Sequence, residues 1–345
     1  MRASRLMSIA ASAALLVGLA GCAQTPGSTD APAGGASSGS GEAFPVTVKH
    51  AYGETVIDEK PKRVATVAWA NHEVPLALGV VPVGMAEANY GDEDGDGLLP
   101  WVKEKLDDLG AKTPVLFDET DSLDFEAIAD TRPDVILAAY SGISKTEYET
   151  LSKIAPTVAF PDTAWGTTLD QMIELNATAM GMATEGERLI DDLHEEIGEA
   201  AAEHPGLKGK SVMFTSFDPS DLSSVTYYTT HDPRMGLFGE LGMTTPPLVN
   251  EATAKTDEFY TTISAERADA LKDVDVLVGY GDPAILEQLR KDPLVGRIPA
   301  VERGSVALVG NDTGLAAAVN PSPLSIGWGL DRYLDLLDAA ASKAS

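Results

Sequence analysis

An acidic loop at residues 91–98, GDEDGDGL, has the spacing of the first half of a calcium-binding loop. Asp92, Asp94 and Asp96 alternate and Gly97 follows, as in the EF-hand, where carboxylate and carbonyl oxygens surround the ion. The bidentate glutamate of such a loop belongs at position twelve, where this chain has Lys103. A lysine cannot complete the coordination shell, so we interpret the segment as an acidic surface loop.

The other patterns that could support catalysis or cofactor binding are incomplete. The Gly-x-Ser-x-Gly motif around Ser37 lies in a Gly- and Ser-rich segment, whereas a nucleophilic serine needs a strand before it and a helix after it. GYGDPA at 279–284 follows an apolar run, but Arg303 stands where a dinucleotide-binding fold needs an acidic residue. The histidines lack metal-ligand spacing: His50, His72, His194, His204 and His231. The sequence therefore predicts no enzyme, no metal site and no cofactor.

Aromatic residues and one arginine lie in probable loops, mostly after strands. Ligands of open α/β sheets bind beyond the carboxyl ends of the strands, and aromatic and arginine side chains there suit a large, partly apolar, oxygen-rich ligand. The predicted ligand contacts are Trp69, Tyr90, Tyr140, Tyr228, Arg234 and Trp328. Each aromatic residue could instead belong to the core, whereas a core seldom buries an unpaired arginine.

Short apolar runs separated by helical segments predict layered α/β structure. Runs without polar alternation are typical of strands buried on both faces, as in parallel sheets. The runs are 64–69, 134–139, 157–160, 211–214, 274–278 and 306–309. Helices are predicted at 73–78 and 125–129, between strands, and this alternation favours sheets covered by helices.

A helical region interrupts this alternation between residues 167 and 205. Thr184 and Glu187 have the spacing of a capping box, and Leu193 and Ile197 continue an apolar stripe. We therefore predict a long helix at about 184–204. We favour a stiff helix joining two α/β halves; a helix packed within one large domain is the alternative.

The N-terminus is typical of an exported protein. Arg2 and Arg5 precede an apolar stretch too short to span a membrane, and Leu19-Ala20-Gly21-Cys22 follows with the only cysteine. These last residues resemble the bacterial lipobox, whose cysteine carries a diacylglyceryl group and becomes the new N-terminus. The predicted organisation is a signal peptide (1–21), a disordered tether (22–43), an N-terminal lobe (44–165), a helical region (166–204) and a C-terminal lobe (205–345).

Acidic residues dominate the composition. The chain has 53 Asp and Glu against 25 Lys and Arg, a formal net charge of −28. This field repels nucleic acid and anionic membrane surfaces, so we expect no nucleic-acid partner. It also disfavours strongly anionic small ligands.

Most of the mature chain resembles the substrate-binding lipoproteins of ferric-siderophore ABC importers. The matching segments of the first lobe are KPKRVATVAW (60–69), ALGVVPVGM (77–85), DFEAIADTRPDVILAAYSG (124–142) and LSKIAPTVAF (151–160). Those of the second lobe are YYTTHDPRMGLFGELGM (227–243) and NPSPLSIGWGLD (320–331). The resemblance implies two three-layer α/β lobes joined by one long helix, with the ligand between the lobes and limited closure.

The resemblance also implies roles for individual residues. In the family, one glutamate on each lobe docks into arginine-lined pockets of the permease, and here these positions match Glu126 and Glu240. Arg234 matches an arginine that faces the oxygen donors of the siderophore, and Tyr140 falls near a ligand-contacting position of the first lobe. Few basic residues stand in the loops that relatives specialised for anionic catecholates use, which favours a neutral or cationic hydroxamate chelate.

We therefore expect a monomeric, lipid-anchored receptor on the outer face of the cell membrane. It would bind a ferric siderophore and deliver it to an ABC permease, with Cys22 carrying the lipid. A cobalamin or haem receptor is the alternative within the same class. A secreted lipoprotein enzyme and a surface adhesin are the alternatives from other classes.

Overall fold

The computed structural model describes residues 43–344, so the predicted signal peptide, Cys22 and nearly all of the tether lie outside the described residues. Within that range, none of the helices is both long and apolar enough to cross a membrane. The first half contains β1 (Val46–His50), β2 (Gly53–Ile57), β3 (Val64–Thr66), α1 (Glu73–Ala77), β4 (Gly84–Ala86), α2 (Pro100–Asp108), β5 (Val115–Phe117), α3 (Phe125–Asp130), β6 (Val135–Leu137), α4 (Lys145–Leu151), β7 (Thr157–Val158), α5 (Leu169–Ala179) and α6 (Ala183–Glu203).

The first half is built on a parallel sheet. Its strand order is β5-β4-β3-β6-β7, with every pair parallel, and β3 and β6 are buried throughout. The apolar runs therefore predicted these strands, because a strand covered by helices on both faces needs no polar side. The antiparallel hairpin β1–β2 has no such run. Its residues alternate between buried and exposed, and sequence analysis missed it.

The second half is built on a mixed sheet. It contains β8 (Val212–Asp218), β9 (Asp221–Tyr228), α7 (Pro233–Glu240), α8 (Pro247–Thr253), β10 (Tyr260–Ser264), β11 (Val276–Gly279), α9 (Ile285–Lys291), α10 (Pro299–Arg303), β12 (Val306–Leu308), α11 (Gly314–Ala318) and α12 (Ser325–Ala341). The strand order is β10-β9-β8-β11-β12, in which β8, β11 and β12 are parallel and β9 and β10 are antiparallel. The prediction of two α/β lobes is confirmed, although this sheet is not purely parallel.

Two helices, α5 and α6, lead from the first half into the second. The capping box predicted at Thr184 is wrong, because α6 begins at Ala183 and its N-cap is Met182, which makes no side-chain cap. Thr184 is the second residue of the helix, so its hydroxyl cannot take the N-cap position. The apolar stripe is confirmed: Leu193 and Ile197 are buried, and α6 packs against α5 and α12.

A buried carboxyl group links the two halves. Glu73, the first residue of α1, is fully buried and accepts a hydrogen bond from the Trp101 indole (2.8 Å). From the second half, the Ser322 hydroxyl (2.5 Å) and the backbone N–H of Leu324 (3.0 Å) donate to its other oxygen. Burial raises the pKa of Glu73 to about 7, although these donors favour the carboxylate.

This position makes folding stability depend on pH. In the unfolded chain the Glu73 carboxyl ionises near its ordinary pKa of about 4.3. Between that pH and about pH 7 this carboxyl is therefore protonated in the folded chain but ionised in the unfolded chain. The contribution of Glu73 to stability is therefore greatest below this window and falls as pH rises through it. In Glu73→Gln we expect a smaller fall in melting temperature between about pH 5 and about pH 7.5 than in the wild-type chain. Exposed Glu104→Gln on α2 is the matched control; a pH dependence unchanged in Glu73→Gln would contradict the assignment.

Candidate functional site

A cavity of ≈ 640 Å³ is lined by residues from both halves. Tyr90 contributes from the loop after β4, and Tyr228, Arg234 and Tyr280 contribute from the second half. The Tyr90 and Tyr280 rings meet edge to face with 6.3 Å between centroids. Because most of its lining residues come from the second half, we refer to this space as the second cavity. It unites three of the predicted contacts, Tyr90, Tyr228 and Arg234.

Arg234 is held rigidly at the wall of the second cavity. It lies in the first turn of α7, not in a loop as predicted, and its Nε and Nη2 donate to the two oxygens of Asp232 (2.7 and 2.6 Å). Nη1 donates to the Tyr280 hydroxyl (2.6 Å), and the guanidinium stands 4.1 Å from the centroid of the Tyr228 ring. These bonds use three of the five N–H groups of an arginine, so two remain without a partner among residues 43–344.

The surroundings keep this group charged and keep Tyr228 and Tyr90 neutral. The Asp232 side chain is fully buried and the Arg234 side chain is 11% exposed. Burial by itself lowers the pKa of Arg234, but Tyr280 and Asp232 raise it well above its ordinary value. Burial raises the pKa of Tyr228 to about 12, and it also raises the pKa of Tyr90. The second cavity therefore offers a fixed cation and phenol hydroxyls, which suit a ligand rich in oxygen acceptors.

A separate, smaller space of ≈ 270 Å³ opens in the first half. We call it the first cavity; Trp69 and Trp165 are the large aromatic residues that line it. One loop borders both cavities, since the first is lined by Glu87, Ala88 and Asn89 and the second by Tyr90.

Strained backbone positions Trp69. The residues on either side of it, Ala68 and Ala70, both have φ of 60°, which costs a residue with a side chain roughly 1–2 kcal/mol. The fully buried Asn71 holds this segment in place: its amide donates to the carbonyls of Val67 (2.8 Å) and Tyr140 (2.9 Å). The loop after β3 is thus fixed to the loop after β6 with Trp69 at the cavity wall.

Trp165 was missed by sequence analysis. It also has positive φ (61°), and its ring lies against Gly142, where an added Cβ would come 2.1 Å from the indole nitrogen. Tyr140 meets the same ring edge to face at 5.5 Å. Nothing in the local sequence around Trp165 predicts a strand end, so no pattern could have selected it.

Two predicted ligand contacts lie outside both cavities. Tyr140 is 5% exposed, and its hydroxyl accepts a hydrogen bond from the Asn320 amide (3.0 Å) across the two halves. Trp328 lies within α12, packs against Trp101 at 5.0 Å and stacks under Arg332. Both residues are occupied by packing, the alternative that sequence analysis left open for each aromatic residue.

The two predicted docking glutamates are exposed, one on each half. Glu126 lies in the first turn of α3. Glu240 is the last residue of α7, and its carboxylate contacts His194 Nδ1 of α6 at 2.7 Å. The other ring nitrogen of His194 contacts Asp170 at 3.0 Å. Hydrogen bonding to Asp170 raises the pKa of His194, and Glu240 adds to the effect.

The motifs set aside at the sequence level have other roles. Asp92 accepts hydrogen bonds from the backbone N–H groups of Asp94, Gly95 and Gly97. Lys103 pairs with Asp96, so these carboxylates are bonded to donor groups of the protein itself. Between residues 43 and 344, no group of His, Cys, Asp and Glu is arranged to hold a metal ion. Gly281 follows β11, as predicted, and lines the second cavity.

Two α/β halves with an aromatic and arginine-bearing cavity between them define a solute-binding protein. The family model described as "Periplasmic binding protein" matches residues 64–313, which is most of the chain. The chain therefore belongs to the periplasmic binding protein family. The family and the fold class predicted from the sequence are both confirmed.

Relatives and solved structures agree with this assignment. The chain is 30% identical over 231 residues to the "Probable siderophore-binding lipoprotein YfiY" of Bacillus subtilis; the alignment covers 66% of each protein, just under two thirds. It is similar to the Fe(3+) dicitrate-binding periplasmic protein FecB of Escherichia coli, with 24% identity over 79% of this chain and 84% of FecB. The structure of PiaA from Streptococcus pneumoniae in complex with ferrichrome matches with a TM-score of 0.84 and 45% identity, covering 87% of this chain and all of PiaA.

Proposed function

We propose that this protein is a lipid-anchored receptor that binds a ferric siderophore, with hydroxamate chelates favoured, and delivers it to an ABC permease. The observation that carries the proposal is the second cavity, where a fixed arginine with two unused N–H groups faces a space lined by tyrosines. Arginine N–H groups and phenols are suited to the oxygen atoms that surround iron in a chelate. The iron arrives already coordinated, so the receptor needs shape, aromatic contact and a few polar anchors.

Charge favours a hydroxamate over a catecholate. Three hydroxamates balance the charge of Fe³⁺, whereas three catecholates leave the complex strongly anionic. Within residues 43–344, Arg234 is the one cationic side chain that lines the second cavity, and its partner Asp232 already neutralises it in part. A strongly anionic chelate would find too little positive charge here, since the chain as a whole carries −28. The relative PiaA, whose structure contains ferrichrome, supports the same class of ligand.

The anchor and the permease complete the proposal. Relatives named as lipoproteins support a lipid on Cys22, which would hold the receptor at the outer face of the membrane. Glu126 and Glu240 would each pair with an arginine of the permease, and two separated charged contacts would fix orientation as well as affinity. The receptor would act as a monomer.

Titration of the purified chain with ferrichrome, a ferric catecholate, haem and cobalamin tests the ligand class. Trp69 and Trp165 line the first cavity, which shares a bordering loop with the second, so we expect ferrichrome to quench tryptophan emission and the other three ligands to leave it unchanged. Binding of haem or cobalamin alone would reject a siderophore as the ligand. If none of the four ligands binds, the receptor function itself is wrong.

A further inference from the structure

The charged side chains at the first cavity are acidic. Glu87, Glu119 and Glu147 line it, and no lysine or arginine among residues 43–344 does. The rest of its wall is largely apolar, with Trp69 and Trp165 on it. The second cavity differs, because Arg234 lines it together with the acidic Asp282. A single ligand that reaches both spaces would therefore meet a cation at one end and carboxylates at the other.

Glu119 has an unused oxygen at this cavity. Its Oε2 accepts the backbone N–H of Ala68 (2.8 Å), which supports the strained residue before Trp69. Its Oε1 is shielded from solvent and has no hydrogen-bond partner among residues 43–344. Glu147 differs, because it accepts the backbone N–H of Ser144 (2.7 Å) within a capping box. Rotation about the last bond of a glutamate side chain is soft, so Glu119 can turn Oε1 towards the cavity.

His72 is a second residue of this cavity with an unpaired polar atom. It is 6% exposed and lines the same cavity, and its Nδ1 has no hydrogen-bond partner within the described part of the chain. Buried polar atoms are nearly always paired in folded proteins, so an unpaired one on a residue that lines a cavity is a candidate contact for a bound group. Two residues that carry such an atom, the N-cap residue of α1 and Glu119 of the loop after β5, line one cavity.

We propose that the first cavity receives a cationic arm of the siderophore, a protonated primary amine on a short methylene chain, with Glu119 as its counter-ion. This rests on the proposed function. The apolar wall suits the methylene groups, while a buried ammonium needs a paired carboxylate to offset its loss of hydration. The iron-bound oxygens would then face Arg234. The same charges exclude chelates that present free carboxylates here, such as ferric citrate.

Ferrioxamine B tests this directly, since it is a hydroxamate chelate with one protonated primary amine, and its N-acetyl derivative is neutral. At fixed neutral pH we expect the wild-type chain to bind ferrioxamine B at least about tenfold more tightly than the acetylated form, as for a buried charge pair. In Glu119→Gln we expect most of this preference to be lost, although Glu87 and Glu147 remain, with the affinity for the acetylated form unchanged. The new amide oxygen can still accept the Ala68 N–H, so the Trp69 loop is preserved.

The control is Glu149→Gln, an exposed glutamate of α4, which should keep the wild-type ratio. Equal affinity of the wild-type chain for both forms would overturn the inference, and this comparison needs no variant. A ratio that survives in Glu119→Gln would remove Glu119 as the counter-ion. Tight binding of ferrichrome without preference between the two ferrioxamines would overturn this inference alone. If none of the three hydroxamate chelates binds, the proposed function is overturned as well.

Discussion

Replacing Arg234 with alanine is expected to lower the affinity for ferric hydroxamates at least about a hundredfold. The guanidinium has two N–H groups free for the ligand, and a hydrogen bond from a charged group contributes about 1.5–3 kcal/mol. Two such bonds correspond to roughly a hundredfold or more in the dissociation constant. The substitution also leaves Asp232 buried without its cation and frees the Tyr280 hydroxyl, so the anchor loses its geometry as well as its charge.

Controls separate this loss from unfolding. Arg234→Lys keeps the charge but cannot form the fork of bonds to Asp232, so it should recover only part of the affinity. Arg267→Ala removes an exposed arginine of the same half that lies outside the second cavity, and it should bind like the wild-type chain. Melting temperatures of all variants show whether the fold is kept. An Arg234→Ala chain that is folded and binds within about threefold of wild type would place the ligand elsewhere.

Strand ends explain why part of the site could be predicted. Trp69 ends the first apolar run and Tyr90 flanks the acidic loop, and both line a cavity in the structure, because open α/β sheets collect such loops at one edge. Arg234 was found because an unpaired arginine is seldom buried. The structure shows the reason to be different: most of the Arg234 side chain is buried, but Asp232 two residues earlier pairs with it.

The missed residues depend on contacts between distant segments. Tyr280 follows β11 and was passed over because the glycines on each side drew attention to a loop, not to a phenol. Trp165 reaches its cavity through a positive φ angle and a close approach to Gly142. Such positions are fixed by tertiary packing, which a single sequence does not reveal. Sequence analysis also missed β9, because its residues alternate in exposure and form no apolar run. Tyr228, predicted in a loop, is therefore the last residue of a strand.

Removing both docking glutamates is expected to abolish iron delivery while leaving siderophore binding intact. Glu126 and Glu240 lie on different halves and line neither cavity, so the dissociation constant of the chelate should not change in Glu126→Ala/Glu240→Ala. Each carboxylate would lose one charge-assisted contact with the permease, which costs about tenfold or more for a close interfacial pair. Two losses together should reduce uptake of radiolabelled iron to background in cells that have this chain as their sole receptor.

The present partner of Glu240 makes the two sites unequal. Glu240 already contacts His194, and the raised pKa of His194 means that this imidazole becomes a cation more readily than usual as pH falls. An arginine of the permease would therefore have to displace His194 from Glu240, whereas exposed Glu126 has no side-chain partner to displace among residues 43–344. Uptake should consequently fall further for Glu126→Ala alone than for Glu240→Ala alone. The paired control Glu149→Ala/Glu251→Ala removes one exposed glutamate from each half and should transport normally; equal transport by the docking variant and this control would remove both glutamates from the permease interface.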